Sequence, residues 1–335
     1  MSAEQIISDW KKNKFKPVYW LEGEENYYID KVINYAERHI LSESEAEFNL
    51  TIFYGKDAVW KDVLNACKRF PMFAERQVVL LKEAQQMSLK EEDTEKLISY
   101  FEKPQPSTVL VIGYKDKKLD ARTKFAKVVK QNGELLTTKK MYESDLPKWT
   151  LQMVQEQGYT INQKAVLLLV DHIGNDLSRI ENEVEKILVN LHGRKNITEE
   201  DIEKYVGISK EFNVFELQKA VGQKDFPKAI RIVRYFEQNP KAVPVQLILP
   251  TLYNFFSKTA MVFETTGGES AVASAIGVNP FFVKDYLQAA KNYGKQGIEN
   301  GLLLLHRYNL RSIGIGDIGT SDSDLMKEML VKMMY

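Results

Sequence analysis

The stretch Pro17–Ile33, PVYWLEGEENYYIDKVI, has the layout from which nucleotide-binding proteins build a phosphate site. An apolar run, Val18 to Leu21, leads into one glycine, Gly23, and then into a segment of helical periodicity. Such a junction holds anions because turn amides and the helix N-terminus converge on one place. The chemistry also needs a glycine-rich turn, a lysine for the β- and γ-phosphates and a hydroxyl for magnesium. Here Gly23 stands alone and Lys31 comes too far into the helix. Glu22, Glu24 and Glu25 are expected to face the phosphate position, where they would repel a triphosphate. The stretch therefore reads as an ordinary strand-to-helix turn capped by acidic residues.

Two other positions agree. NTPases of this architecture end a second strand with adjacent acidic residues that hold the magnesium water, whereas the candidate strand here ends Lys82-Glu83. The next strand ends Ile112-Gly113-Tyr114, without a polar residue to sense a γ-phosphate. Together the three positions argue against hydrolysis.

Other constellations fail on context. Gly314-Ile-Gly316-Asp-Ile-Gly319 fits G-x-G-x-x-G, but too little chain follows to complete a dinucleotide-binding unit, so a loop between two helices is expected. His39, His172, His192 and His306 are scattered, without partners at metal-ligand spacing. Cys67 falls on the apolar side of a helix, where an inert core thiol is expected. Asp322-Ser-Asp324 begins like a calcium loop but lacks its later glycine and glutamate, and is better explained by helix capping. No catalytic, metal-binding or cofactor-binding residue emerges.

One segment is different. In Lys68–Gln77, KRFPMFAERQ, the apolar cluster Phe70, Pro71, Met72 and Phe73 is bracketed by Arg69, Glu75 and Arg76. An apolar tip rimmed by charge suits a partner-binding wedge. The other reading is that Phe70 and Phe73 tuck under a sheet.

The elements that carry these residues alternate over the first part of the chain. Strands are expected at Val18–Leu21, Leu50–Tyr54, Arg76–Lys82, Thr108–Gly113 and Gly133–Thr137, with helices between them. Continuous apolar strands separated by helices indicate a parallel sheet covered on both faces. This α/β domain ends near residue 140, and everything after it is helical in pattern. Pro147 sits early in a helix, Thr198-Glu-Glu-Asp201 forms an N-cap, and the run Val243–Phe263 reads as a buried helix. That run is interrupted by Gln246, Pro250, Asn254 and Lys258, so it is not expected to span a membrane.

Composition fits a soluble, cytoplasmic, multidomain protein. The chain has 335 residues, one cysteine, 46 basic and 46 acidic side chains, and hence a formal net charge of zero. A disulfide within the chain is impossible, and binding of nucleic acid by bulk charge is disfavoured.

The ordered set of blocks resembles the delta subunits of bacterial DNA polymerase III. It comprises the altered phosphate loop, Pro71–Arg76, Gly174–Glu183, Phe215–Ala220, Val278–Lys284 and Gly314–Leu325. The resemblance implies an AAA+-like α/β domain at 1–140, a small helical lid domain at 141–209 and a helical collar at 210–335. It also implies a clamp-loader subunit that does not hydrolyse ATP, counted with the DNA-directed DNA polymerase as part of its holoenzyme. Its implied partners are the sliding clamp (the beta subunit), sister subunits of ATPase and delta-prime type, and primed DNA within the complex. Phe70, Pro71, Met72, Phe73 and Arg76 are the implied clamp-binding residues, with Met72 and Phe73 as the wedge pair that opens the ring. Methionine departs from the leucine usual in the family, but it adapts readily to an apolar pocket. Two alternatives remain: an active P-loop-type ATPase, or a helical nucleic-acid-binding protein stacking bases on Trp60, Tyr286 and Tyr293.

Overall fold

The computed structural model describes residues 1–209, 212–239, 245–278, 280–317 and 319–335. The expected boundary at residue 210, the breaks at Pro240 and Asn279, the start of the apolar run at Val243, and Ile318 of the glycine loop lie outside them. The chain divides into two compact units, Met1–Met141 and Tyr142–Tyr335.

The first unit contains, in chain order, α1 (Ala3–Lys11), β1 (Val18–Gly23), α2 (Asn26–His39), α3 (Glu43–Asn49), β2 (Leu50–Tyr54) and α4 (Trp60–Cys67). It continues through β3 (Gln77–Lys82), α5 (Glu91–Glu102), β4 (Thr108–Lys115), α6 (Lys124–Asn132) and β5 (Glu134–Thr138). The five strands are all parallel, in the order β2-β3-β4-β1-β5. Side chains alternate across a strand, and here both sides are apolar. Val18, Trp20, Val79, Leu81, Leu110 and Ile112 pack with the α4, α5 and α6 residues Leu64, Phe101 and Phe125. Tyr19, Leu21, Val78, Leu80, Val109 and Val111 pack with Ile6 and Trp10 of α1 and Ile29 and Ile33 of α2. Burying one large aliphatic side chain is worth about 1.5–3 kcal/mol, so the two layers together make the sheet a rigid slab.

The α/β class and the five strands are as expected, whereas α1 and α3 are additional. In α1 the residues Ala3, Ile6 and Trp10 form a buried stripe, and Ser2 caps the helix by accepting from the Gln5 N–H at 3.2 Å. Seven residues long, α3 has too little apolar periodicity to stand out. Its start is set by a capping box between Ser42 and Glu45.

The second unit is helical, with α7 (Leu146–Glu156), α8 (Gln163–Ile173), α9 (Leu177–Val189) and the short α10 (Glu199–Asp201), plus the two-residue strands β6 (Thr160–Ile161) and β7 (Asn196–Ile197). Then come α11 (Val214–Gly222), α12 (Phe226–Gln238), α13 (Val245–Val262), α14 (Glu269–Ile276), α15 (Val283–Ser312) and α16 (Asp322–Met334). Pro147 lies in the first turn of α7, and Thr198 with Asp201 forms a capping box at α10, both as the sequence indicated. A kink interrupts α15 at Gly294, whose φ of 65° favours glycine. One apolar core joins α11 through α16 around Phe255, Phe256, Leu305 and Met329. The fold is therefore an AAA+-like α/β unit followed along the chain by a helical unit. Among the described residues, no helix is long and apolar enough to cross a membrane.

Cys67 is fully buried at the end of α4, and desolvation pushes its thiol up to about 12. The neutral form therefore persists far above pH 8. A disulfide-exchange reagent at pH 8 should leave the native protein unmodified and label one thiol per chain after urea unfolding. Stoichiometric labelling at the same rate in the native state would contradict this burial.

Candidate functional site

Ligands of open parallel sheets bind beyond the carboxyl ends of the strands, at the switch point of the strand order. Here that point is the end of β1, between β4 and β5, where Gly23 leads into α2. Trp20 and Glu22 lie on the same side of β1, two residues apart, so Glu22 follows Trp20 into the fold. It accepts hydrogen bonds from Trp20 Nε1 at 3.1 Å, the Leu119 N–H at 2.9 Å and Thr137 Oγ1 at 3.3 Å. The expectation that all three glutamates face a phosphate position is corrected at Glu22, which is a buried, bonded anchor. Glu24 is exposed and paired with Lys118 at 2.9 Å, which holds its carboxyl below the usual range. Glu25 is buried as the N-cap of α2 and accepts from the Tyr27 N–H at 3.4 Å. Its own carboxylate thus occupies the helix end that an anion would seek.

The amides of this loop are also committed. The N–H of Gly23 donates to the Lys117 carbonyl at 3.1 Å, and that of Glu24 to the Thr138 carbonyl at 3.3 Å. The N–H of Glu25 donates to Thr138 Oγ1 at 3.1 Å. Gly23 permits this tight closure: its φ is +126°, and an added Cβ would lie 2.2 Å from the Thr138 carbonyl oxygen. At the neighbouring strand ends, Lys82 pairs with Glu37 at 2.5 Å and Lys115 with Asp30 at 2.7 Å, both carboxylates coming from α2. β4 runs two residues beyond the expected Gly113 end, and Tyr114 packs on Trp20.

The segment between α4 and β3 lies at the opposite end of the sheet, because it precedes a strand whereas the first loop follows one. Gln77, buried at the start of β3, fastens its base: Nε2 donates to the Arg69 carbonyl at 2.7 Å, the Ala66 carbonyl at 3.1 Å and Thr108 Oγ1 at 2.8 Å. Beyond this base the chain protrudes. Phe73 is 99% exposed, Phe70 77% and Met72 54%, with Pro71 half-buried. The reading in which Phe70 and Phe73 tuck under the sheet is overturned. Both faces of the sheet are already filled by helices, which leaves no room there. Phe73 has φ +55°, a left-handed conformation uncommon for a bulky residue. Arg76 is set apart from the tip: its guanidinium lies 4.0 Å from the Phe15 ring centroid and pairs with Glu75 at 3.0 Å.

Asn49, which the sequence did not single out, reaches this segment from the end of α3 and bonds the Met72 backbone. Only a 23-residue separation in sequence links the two, and no local pattern marks it.

The remaining candidates stay dispersed. Among the described residues no group of three or more His, Cys, Asp or Glu side chains is placed to hold a metal. Gly314, Gly316 and Gly319 lie between α15 and α16, with positive φ and no preceding strand. The cap of α16 is Ser321, and Asp322 and Asp324 lie in its first turn. The aromatics proposed for base stacking are otherwise engaged: Trp60 is buried and donates to the Ser88 carbonyl at 3.2 Å. Tyr286 is buried against Phe255, and the Tyr293 hydroxyl donates to the Val221 carbonyl at 2.9 Å.

A five-stranded parallel sheet with a closed loop at its switch point and an apolar tip at its other end is an AAA+-like fold. The model of "DNA polymerase III, delta subunit" matches residues 19–139, and that of its C-terminal domain residues 211–311, about two thirds of the chain between them. The chain belongs to the DNA polymerase III delta-subunit family. It is 25% identical over 293 residues to DNA polymerase III subunit delta of Bacillus subtilis, covering 85% of this chain and 84% of that one. A probable delta subunit of Aquifex aeolicus is 23% identical over 245 residues, covering 69% and 68%. The solved structure of the Bacillus subtilis DNA clamp loader delta protein shares the fold, with a TM-score of 0.58 over 99% of both chains at 23% identity.

With three loop amides and the α2 cap already bonded within the protein, a triphosphate would have to displace acceptors while facing Glu24 and Glu25. Calorimetric titration with Mg-ATP should give no saturable heat up to millimolar nucleotide. Micromolar affinity would show that the loop opens at small cost.

Proposed function

We propose that this chain is the clamp-loader subunit that binds the sliding clamp through the tip Phe70, Pro71, Met72 and Phe73, favours its opened form, and hydrolyses no ATP itself. The observation that carries this reading is the exposure of Phe73 and its apolar neighbours on a rigidly fastened base. Large apolar side chains projecting from a buried scaffold suit insertion into a partner's pocket. A wedge that binds the sprung clamp more tightly than the closed one shifts the ring toward opening by mass action. Arg76, stacked on Phe15, supports the tip's base in this scheme rather than forming its point. Sister subunits of the ATPase and delta-prime type supply hydrolysis, and the assembly acts on primed DNA in the cytoplasm. The names of the family and of the Bacillus subtilis relative point the same way.

The division of labour we propose is residues 1–140 for the clamp, 141–209 as lid and 210–335 as the collar that joins sister subunits. A groove of about 670 Å³ supports a docking role for the collar. Leu249, Pro250 and Tyr253 of α13 and Leu302, Leu303 and His306 of α15 line it. Tyr253 is 50% exposed and Leu303 69%, more apolar surface than a solitary helix pair needs.

Replacing both wedge residues, Met72→Ala with Phe73→Ala, should weaken clamp binding by about two to four decades. Burying each side chain is worth about 1.5–3 kcal/mol. Thermal stability should stay close to wild type, because neither side chain is buried in the isolated fold. A lowered melting temperature with unchanged affinity in the folded fraction would reject the wedge. A fragment ending at Met141 should keep clamp binding and lose entry into the loader complex. Co-purification of that fragment with sister subunits at full-length yield would reject the collar assignment.

A further inference from the structure

We propose that Asn49 is the positioning residue of the tip: its buried carboxamide, bonded to both backbone polar atoms of Met72, sets the wedge before the clamp arrives. The inference rests on the wedge reading above and assigns the preorganisation of that surface to one side chain outside it.

Asn49 closes α3 and is 3% exposed. The Met72 N–H donates to Asn49 Oδ1 at 2.7 Å, and Asn49 Nδ2 donates to the Met72 carbonyl at 2.9 Å and to the Glu45 carbonyl at 3.0 Å. The Met72 N–H requires an acceptor, which fixes which way the amide faces. Donor and acceptor then meet the peptide as a neighbouring strand would. Aspartate offers no donor and would set a negative oxygen against the Met72 carbonyl, while glutamine is one methylene too long. The fit is specific to asparagine.

The tip needs such a hold. Phe73 follows Met72 directly, adopts φ +55° and buries almost none of its side chain, so packing in the free protein cannot fix its direction. Gln77 fastens the segment at Arg69 on one side, and Asn49 fastens it at Met72, immediately before Phe73. Ordering completed in the free protein is not charged against binding, and loss of the competent conformation lowers apparent affinity in proportion to its population.

The test uses the full chain and its cognate sliding clamp, with the variants Asn49→Ala, Asn49→Asp, Phe73→Ala and Asn49→Ala/Phe73→Ala. Clamp affinity is measured for each, with amide hydrogen exchange over residues 70–76 in the absence of clamp. Asn49→Ala should bind about tenfold more weakly and exchange faster at Met72 and Phe73. Asn49→Asp, which keeps the acceptor but sets a buried negative oxygen against the Met72 and Glu45 carbonyls, should lose at least as much as Asn49→Ala. In the Phe73→Ala background, Asn49→Ala should add less than about threefold, because the ring it positions is gone. If Asn49→Ala does not fold, Asn49→Ser, small and uncharged, carries the same comparison in both backgrounds. Wild-type affinity in the Asn49 variants alongside lost binding in Phe73→Ala would overturn this inference and leave the wedge standing. Wild-type affinity in Phe73→Ala would sink the wedge reading, and this inference with it. Equal losses from Asn49→Ala in both backgrounds would show a structural role only and would also overturn it.

Discussion

A parallel sheet covered by helices on both faces gathers its connecting segments at its two ends. That constraint arranges the first unit. All five strands point one way, so every loop that follows a strand gathers at one end and every segment that precedes a strand gathers at the other. The turn after β1 and the tip before β3 are therefore held apart by the length of the slab.

At the first end, the protein supplies for itself what a nucleotide would otherwise bring. Helix α2 needs a negative charge at its start, and Glu25 provides it. The loop amides need acceptors, and the backbone around Thr138 and Lys117 provides them. The strand-end lysines Lys82 and Lys115 need anions, and Asp30 and Glu37 on α2 pair with them. Glu22 ties β1, β5 and the loop before α6 into one network from beneath. Three loop amides, the α2 cap and both strand-end lysines thus find partners within the protein.

At the other end the balance is reversed. The backbone is held at two points, by Gln77 at Arg69 and Asn49 at Met72, while Phe70, Met72 and Phe73 are left exposed. In the second unit the apolar groove between α13 and α15 has the same character, an ordered scaffold presenting uncovered apolar surface.

The amino-acid sequence determined the class of fold and the make-up of the loop after β1, one glycine followed by two glutamates. Continuous apolar strands separated by helical periodicity admit few arrangements besides a covered parallel sheet. The sequence also marked Phe70–Phe73 as unusual, but not their direction, since phenylalanines of the core such as Phe101 and Phe125 are the same residues in a different place. Exposure was decided by tertiary structure, when helices filled both faces of the sheet and left the segment outside. Glu22 turned inward for a similar reason, following Trp20 along one side of β1 into a pocket of donors from β5 and the loop before α6. Asn49 was beyond the reach of sequence altogether. Its partner lies 23 residues away in the chain, and only the packing of α3 beside the tip brings a donor and an acceptor to the two backbone polar atoms of one residue.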